Sequence, residues 1–228
     1  MRSTVGTPIV IAIDGPSGSG KSSTSRGVAT ALGYDYLDTG AMYRAMTWAL
    51  LQRGVDVEDA AKVAEEAVSV SIVSGVDPQE PTITADGRDV SGPIRTEEVT
   101  AAVSPVSAVA RVRELLVQAQ RQVIGSSTSA GRGIVVEGRD IGTAVAPDAP
   151  LKVYLVADPA ARAARRAAEL GGVDAVATQE SLARRDQIDS TRAASPLAQA
   201  DDAVVVDGTH LTLDEVIEHI VGLARDAS

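Results

Sequence analysis

Pro8-Ile-Val-Ile-Ala-Ile-Asp14, running straight into Gly15-Pro-Ser-Gly-Ser-Gly-Lys21-Ser22, decides the fold. The first stretch is β-branched and apolar without alternation, which is how a strand reads when both its faces are covered in a parallel sheet. The second fits G-x-x-x-x-G-K-[ST] at every position. Its glycines let the backbone turn its N–H groups inward on phosphate oxygens, and the helix that follows adds its positive end. Lys21 is placed to reach the β- and γ-phosphates, and Ser22, with Ser23 as the neighbouring hydroxyl, to hold Mg²⁺. Gly15, Pro16, Ser17, Gly18, Ser19, Gly20, Lys21, Ser22 and Ser23 are therefore the expected triphosphate cradle. The loop lies between a strand and a helix, as its mechanism requires.

Working outward, a helix is expected from Lys21, with Val28, Ala29 and Leu32 on one stripe and Gly33 at its end. A short strand follows at Tyr34–Leu37. Buried-strand runs recur at 133–137, 151–157 and 203–207, and helical segments at about 41–53, 106–124, 159–170, 178–190 and 213–225. That alternation predicts an α/β fold with a parallel sheet covered by helices on both faces. One stretch breaks the rhythm. Residues 68–95 hold short alternating runs, and Asp86-Gly87 supplies a tight turn, so a small antiparallel insertion is expected there. The expected organisation is a core of 1–67 and 106–228, an inserted region at 68–105, and a short helical lid at about 160–190.

Composition sets limits on function. The 228 residues suit one domain with an insertion. Hydrophobic residues make up 44% but aromatics only 2%, and Phe is absent, so Val, Ile, Leu and Ala must build the core. Having no Cys excludes disulfides, zinc–thiolate sites and a thiol nucleophile. A net charge of -10 argues against nucleic-acid or anionic-membrane partners. The apolar run Ile9–Ile13 is too short for a signal segment or a membrane span, so a cytoplasmic protein is expected, with a monomer as the default. The chain contains no Asn, which removes the Asn-Lys-x-Asp loop by which guanine-nucleotide switches read their base.

Three further clusters carry charge where phosphate chemistry would use it. Asp38-Thr-Gly-Ala-Met-Tyr-Arg44 puts Thr39 at a helix start and Arg44 one turn on. Glu137-Gly-Arg-Asp-Ile-Gly142 follows a strand at the carboxyl end of the sheet, where open α/β folds bind ligands. Arg162, Arg165, Arg166 and Glu169 share one helical face. Beyond Gly171-Gly172, Arg185, Asp189 and Arg192 share another by i, i+4, i+7 spacing. Like charges on one face repel, so an anion between the two faces is the economical reading, against a pair of solvated helices with internal Arg–Asp pairs.

With these pieces in order along the chain, the sequence resembles bacterial cytidylate kinase, a P-loop kinase family. The matching segments are 13–21, 37–44, Asp89-Val-Ser-Gly-Pro-Ile-Arg95, Arg111-Val-Arg-Glu114, Gly138-Arg-Asp-Ile-Gly-Thr143, Pro147-Asp-Ala-Pro150 and the Arg-Asp…Asp…Arg…Pro-Leu run at 185–197. The resemblance implies transfer of the γ-phosphoryl of ATP to CMP or dCMP, with Mg²⁺. Thr39, Arg44, Arg139 and Arg192, with Gly138 beside them, would hold the acceptor phosphate. Arg185 and Asp189 would touch the ribose, while Ser104, Arg113 and Asp140 read the cytosine edge. Arg162, Arg165 and Arg166 would belong to the lid. Lys21, Arg139, Arg162, Arg166, Arg185 and Arg192 would neutralise charge during transfer, since catalysis of this kind is positioning plus electrostatics. A kinase for another small acceptor, or a non-catalytic nucleotide switch, is the alternative. Two departures stand out. Glu137 occupies a position where the family usually shows Asp, and Lys21-Ser-Ser replaces the frequent Lys-Gly-Thr, with Ser22 favoured as the metal hydroxyl.

Overall fold

The computed structural model describes residues 7–169, 171–172, 174–192 and 194–228. Five strands form a wholly parallel sheet: β1 (Val10–Asp14), β2 (Asp35–Asp38), β6 (Ile134–Gly138), β7 (Leu151–Val156) and β8 (Val204–Asp207), in the order β2-β6-β1-β7-β8. β1 is therefore central and β6 lies beside it. The loop after β1 and the loop after β6 leave the same end of the sheet next to each other. Helices cover both faces, as the unbroken apolar strands require. On one face Ile11, Ile13, Val135 and Val153 pack under α1 (Lys21–Leu32) and α8 (Leu213–Asp226). On the other, Ala12, Leu37, Ile134 and Val136 meet α2 (Thr39–Gln52), α4 (Glu97–Ala108) and α5 (Ala110–Ser129).

Two helices escape the sequence pattern. One is α3 (Ala60–Ala67), whose N-cap Asp59 accepts from the Ala61 and Lys62 N–H groups. The other is α4, capped by Thr96 and carrying Pro105 in its last turns. The helix expected at 106–124 is thus two helices broken at Val109, which is extended at φ -71°, ψ 120°. The pattern failed there because Val, Thr, Ser and Pro weaken helix propensity, and burial of Val99, Val103 and Val106 overrides it.

The antiparallel insertion is present as β3 (Ile72–Ser74), β4 (Ile83–Ala85) and β5 (Arg88–Asp89). Its turn residues Asp86 and Gly87 both have positive φ, 51° and 75°, as a tight hairpin demands. Ile83, Ala85, Val90 and Ile94 join the hydrophobic cluster of α2, so the small sheet shares the core of the body. Beyond β7, α6 (Pro159–Glu169) and α7 (Ala175–Thr191) pack on each other as an arm joined through Gly171 and Gly172 (φ 84° and 89°). Residue 170, the expected end of the first of these helices, lies outside the described residues.

Candidate active site

The loop between β1 and α1 can be built only from its own residues. A side chain at Gly15 would put its Cβ 2.1 Å from the Leu155 carbonyl oxygen, and Gly18 and Gly20 have φ of 74° and 92°. The N-terminus of α1 has no side-chain cap, so its N–H groups point out of the loop unclaimed by a neighbouring side chain. Lys21 is buried and donates to the Pro16 carbonyl at 2.7 Å. Burial, followed by the nearby Arg139 charge, holds its ammonium well below the usual lysine range.

The floor of the site is acidic. Glu137, 4% exposed at the end of β6, accepts from the Ser22 hydroxyl at 3.0 Å on one oxygen and from the Tyr36 hydroxyl on the other. Burial first, and the Asp38 carboxylate second, push its carboxyl up to about 7. Asp14 ends β1 and accepts the Ile141 and Gly142 N–H groups, both at 2.8 Å, which fixes the wide turn after β6. Desolvation pushes it up to about 6 against those two bonds.

Above the floor is a cavity of about 750 Å³. Ser17, Gly18, Gly20, Lys21, Ser22 and Ser23 line it together with Glu137 and Gly138 and with Arg44, Arg139, Arg166 and Arg185. Arg44 donates to the Ile94 carbonyl at 3.0 Å and to Thr100 at 2.9 Å. Burial and the neighbouring Arg185 and Arg166 charges push it down to about 10. Arg185 is lowered by burial and by Arg139, and its buried Nε has no hydrogen-bond partner among the described residues. Like charges thus gather in the lining of the cavity.

Several expected ligand-holding residues are placed differently. Thr39 donates its hydroxyl to the Glu137 carbonyl at 2.7 Å, so its one proton ties α2 to β6 and is not offered to a phosphate here. Arg192 lies past the end of α7 in an extended conformation, so helical spacing does not bring it beside Arg185. It reaches the Ser195 carbonyl at 2.7 Å, with Asp140 at 3.5 Å and Asp189 at 3.6 Å. Arg113 and Asp140, expected to read opposite atoms of one base, form a buried ion pair with each other, and Arg113 sits 5.1 Å over the Tyr43 ring. The Arg113 Nε–H is a buried donor without a hydrogen-bond partner among the described residues. Ser104 is buried on α4 and does not line the cavity.

The arm also differs from the expected pair of bare cationic faces. Arg162 pairs with Asp186 across α6 and α7 and donates to the Ser17 carbonyl at 2.8 Å, while Asp186 accepts the Ser17 N–H at 2.8 Å. Arg165 is taken by the Ser19 and Gly208 carbonyls. Arg139 binds Asp189 at 3.0 Å, the Gly15 carbonyl at 3.1 Å and the Ser17 hydroxyl at 2.8 Å. Internal carboxylates thus satisfy part of the charge that the spacing assigned to a bound anion. Asp14, Tyr36 and Asp186 were missed by the sequence reading. Only Asp14, the acid that closes the apolar strand before the loop, carried a local signal.

A family profile described as cytidylate kinase matches residues 11–226. The chain belongs to the cytidylate kinase family. A cytidylate kinase of Streptomyces griseus subsp. griseus is 58% identical over 97% of this chain and 95% of its own. That of Mycobacterium leprae (strain Br4923) is 50% identical, covering 97% and 98%. Among solved structures, a gluconokinase from Sinorhizobium meliloti 1021 superposes with a TM-score of 0.52 at 17% identity, covering 97% of this chain and 94% of that one. That likeness concerns the α/β fold alone.

Proposed function

We propose that this chain transfers the γ-phosphoryl of ATP to CMP or dCMP, giving ADP and CDP or dCDP. The observation that carries the reading is one cavity lined both by the triphosphate loop and by Arg44 and Arg185, each of which burial and neighbouring guanidinium charge hold below the usual arginine range. Buried cations crowded in this way favour an anion beside them, and an acceptor phosphate supplies one. The cytidylate kinase relatives supply the identity of the acceptor.

The oxygen donors beside the loop fit Mg²⁺. Ser22 hydroxyl and Glu137 carboxylate are hard ligands, and among the described residues no three acids or histidines gather into a cage. That suits a cation carried in on substrate phosphates. Ser22 would hold it directly and Glu137 through its water shell; once bound it neutralises charge on the β- and γ-oxygens. Lys21 leaves Pro16 to reach the same oxygens, and Arg139, braced on the loop, faces the transferred group. Arg44 and Arg185 orient the acceptor, with Arg162 and Arg166 closing from the arm to exclude water. Arg192 would join Arg44 on the acceptor phosphate, Asp189 would meet the ribose, and Arg113, Asp140 and Ser104 would read the base. Among the described residues no helix is long and apolar enough to cross a membrane, and a monomer working in the cytoplasm completes the reading.

A coupled ADP-release assay with CMP, dCMP, UMP, AMP and GMP tests it. Turnover is expected with CMP and dCMP well above the other three. Preference for another acceptor would overturn the substrate assignment, and ATP binding without turnover on any acceptor would favour a switch.

A further inference from the structure

Among the described residues, Tyr36 is the aromatic whose hydroxyl bonds Glu137 on the floor of the site. Its strand, β2, pairs with β6 so that Tyr36 stands opposite Val135 and Asp38 opposite Glu137. Residues two apart share a face of a strand, so Tyr36, Val135 and Glu137 project to the same side of the sheet. The Tyr36 ring is 2% exposed under α1, and its hydroxyl donates to one Glu137 oxygen. The other oxygen accepts from Ser22 in the first turn of α1. Thr39 holds the Glu137 carbonyl from below. Glu137 has two methylenes between backbone and carboxylate, and the bonds from Tyr36 and Ser22 fix their rotation. A ring filling space under α1 needs no hydroxyl. This one is buried and committed to a carboxylate.

Resting on the reading that the loop takes Mg²⁺ with ATP, we propose that Tyr36 is a positioning residue for phosphoryl transfer. By donating to one oxygen of Glu137 it fixes the rotation of that carboxylate. The second oxygen then holds the Ser22 hydroxyl, whose lone pairs are left facing the cavity. Outer-shell donors of this kind orient the groups that touch a metal, and removing one typically costs about 10- to 100-fold in metal affinity or activity. Glu137 in place of the shorter Asp gives the side chain the length to meet a donor on β2 and one on α1 together.

Tyr36→Phe removes the hydroxyl and keeps the ring. Binding of Mn²⁺ or Mg²⁺ to the full-length protein with a non-hydrolysable ATP analogue, measured without acceptor by electron paramagnetic resonance or calorimetry, is expected to weaken about tenfold. The kcat at limiting metal should fall with it, while KM for CMP moves less than twofold. Glu137→Gln should show the same metal loss, and adding Tyr36→Phe to it should change nothing more, because the two act as one unit. Unchanged metal affinity in Tyr36→Phe, or losses that multiply in the double variant, would overturn the proposal. If Tyr36→Phe does not fold, wild-type metal affinity in Glu137→Gln overturns it equally. Metal-dependent binding of the analogue in a wild type that fails to turn over CMP would defeat the acceptor assignment and leave this test standing.

Discussion

The floor of the cavity and the arm above it are both crowded with charge, yet they are held in opposite ways. On the floor, Asp14 is fixed by two backbone N–H groups, Glu137 by Tyr36 and Ser22, and the loop by glycines that no other residue could replace. These partners come from β2, the first turn of α1 and the turn after β6, all packed on the central sheet, so the geometry exists before any substrate arrives. On the arm, Arg162 is held by Asp186, and Asp186 by one N–H of the loop. Those are contacts that a phosphate can replace one for one. Where charge must stay put the fold uses buried backbone and sheet register, and where it must move it uses side-chain pairs near the surface.

Four changes would break or sharpen that contrast. The largest effect is expected from Lys21→Ala on the floor. Losing the ammonium that meets the β- and γ-phosphates should lower kcat by about two orders of magnitude or more, read in a steady-state assay with CMP. Near-normal turnover in a folded variant would remove Lys21 from the chemistry.

Asp14 tests the floor through pH. Its carboxyl is raised from 3.8 to about 6 in the folded chain. A raised acid contributes stability that is fully present below the unfolded value, near 4, and is lost as pH rises through about 6. Wild type minus Asp14→Asn in free energy of unfolding should therefore fall by roughly 2–3 kcal/mol between pH 4 and pH 7. Denaturant titrations at several pH values read it, and a flat difference would show that the two N–H bonds offset burial completely.

Arg185→Ala tests the cationic lining of the cavity. CMP affinity should drop by about 1.5–3 kcal/mol while ATP-analogue affinity barely moves, both measured by calorimetry. Because the buried Arg185 Nε has no hydrogen-bond partner among the described residues and its charge is disfavoured by burial and Arg139, thermal stability should hold or rise. Equal losses for both nucleotides would place Arg185 on the donor side.

The smallest effect belongs to the arm. Asp186→Ala removes the carboxylate that sits on the Ser17 N–H, so an ATP analogue should bind about three- to tenfold tighter, having no resident group to displace. Weaker binding would mean that Asp186 assists the donor.

Much of the fold could be read before the structure because its signals are local. The apolar run at 9–13, the octet at 15–22, the turn at Asp86-Gly87 and the pair Gly171-Gly172 each specify their own geometry within a few residues. The site was legible by residue type more than by arrangement. Spacing brought Arg44 and Arg185 into the reading, but no spacing rule pairs Arg113 with Asp140 or carries Arg192 past a helix end into an extended segment. Tyr36 and Glu137 are 101 residues apart and meet only because β2 lies against β6. Asp186 meets the loop across 169 residues. Contacts of that kind are set by sheet order and helix packing, which a single sequence does not print.

Arg139 belongs to neither region alone, since one guanidinium grips the Gly15 carbonyl, the Ser17 hydroxyl and the Asp189 carboxylate together. A nucleotide settling into the loop must re-divide those bonds, and so must one settling beside Asp189. Each occupant then feels the other through a shared cation. By thermodynamic necessity, whatever factor the first nucleotide applies to the affinity of the second is returned in full, so synergy measured in one order of addition fixes its value in the other.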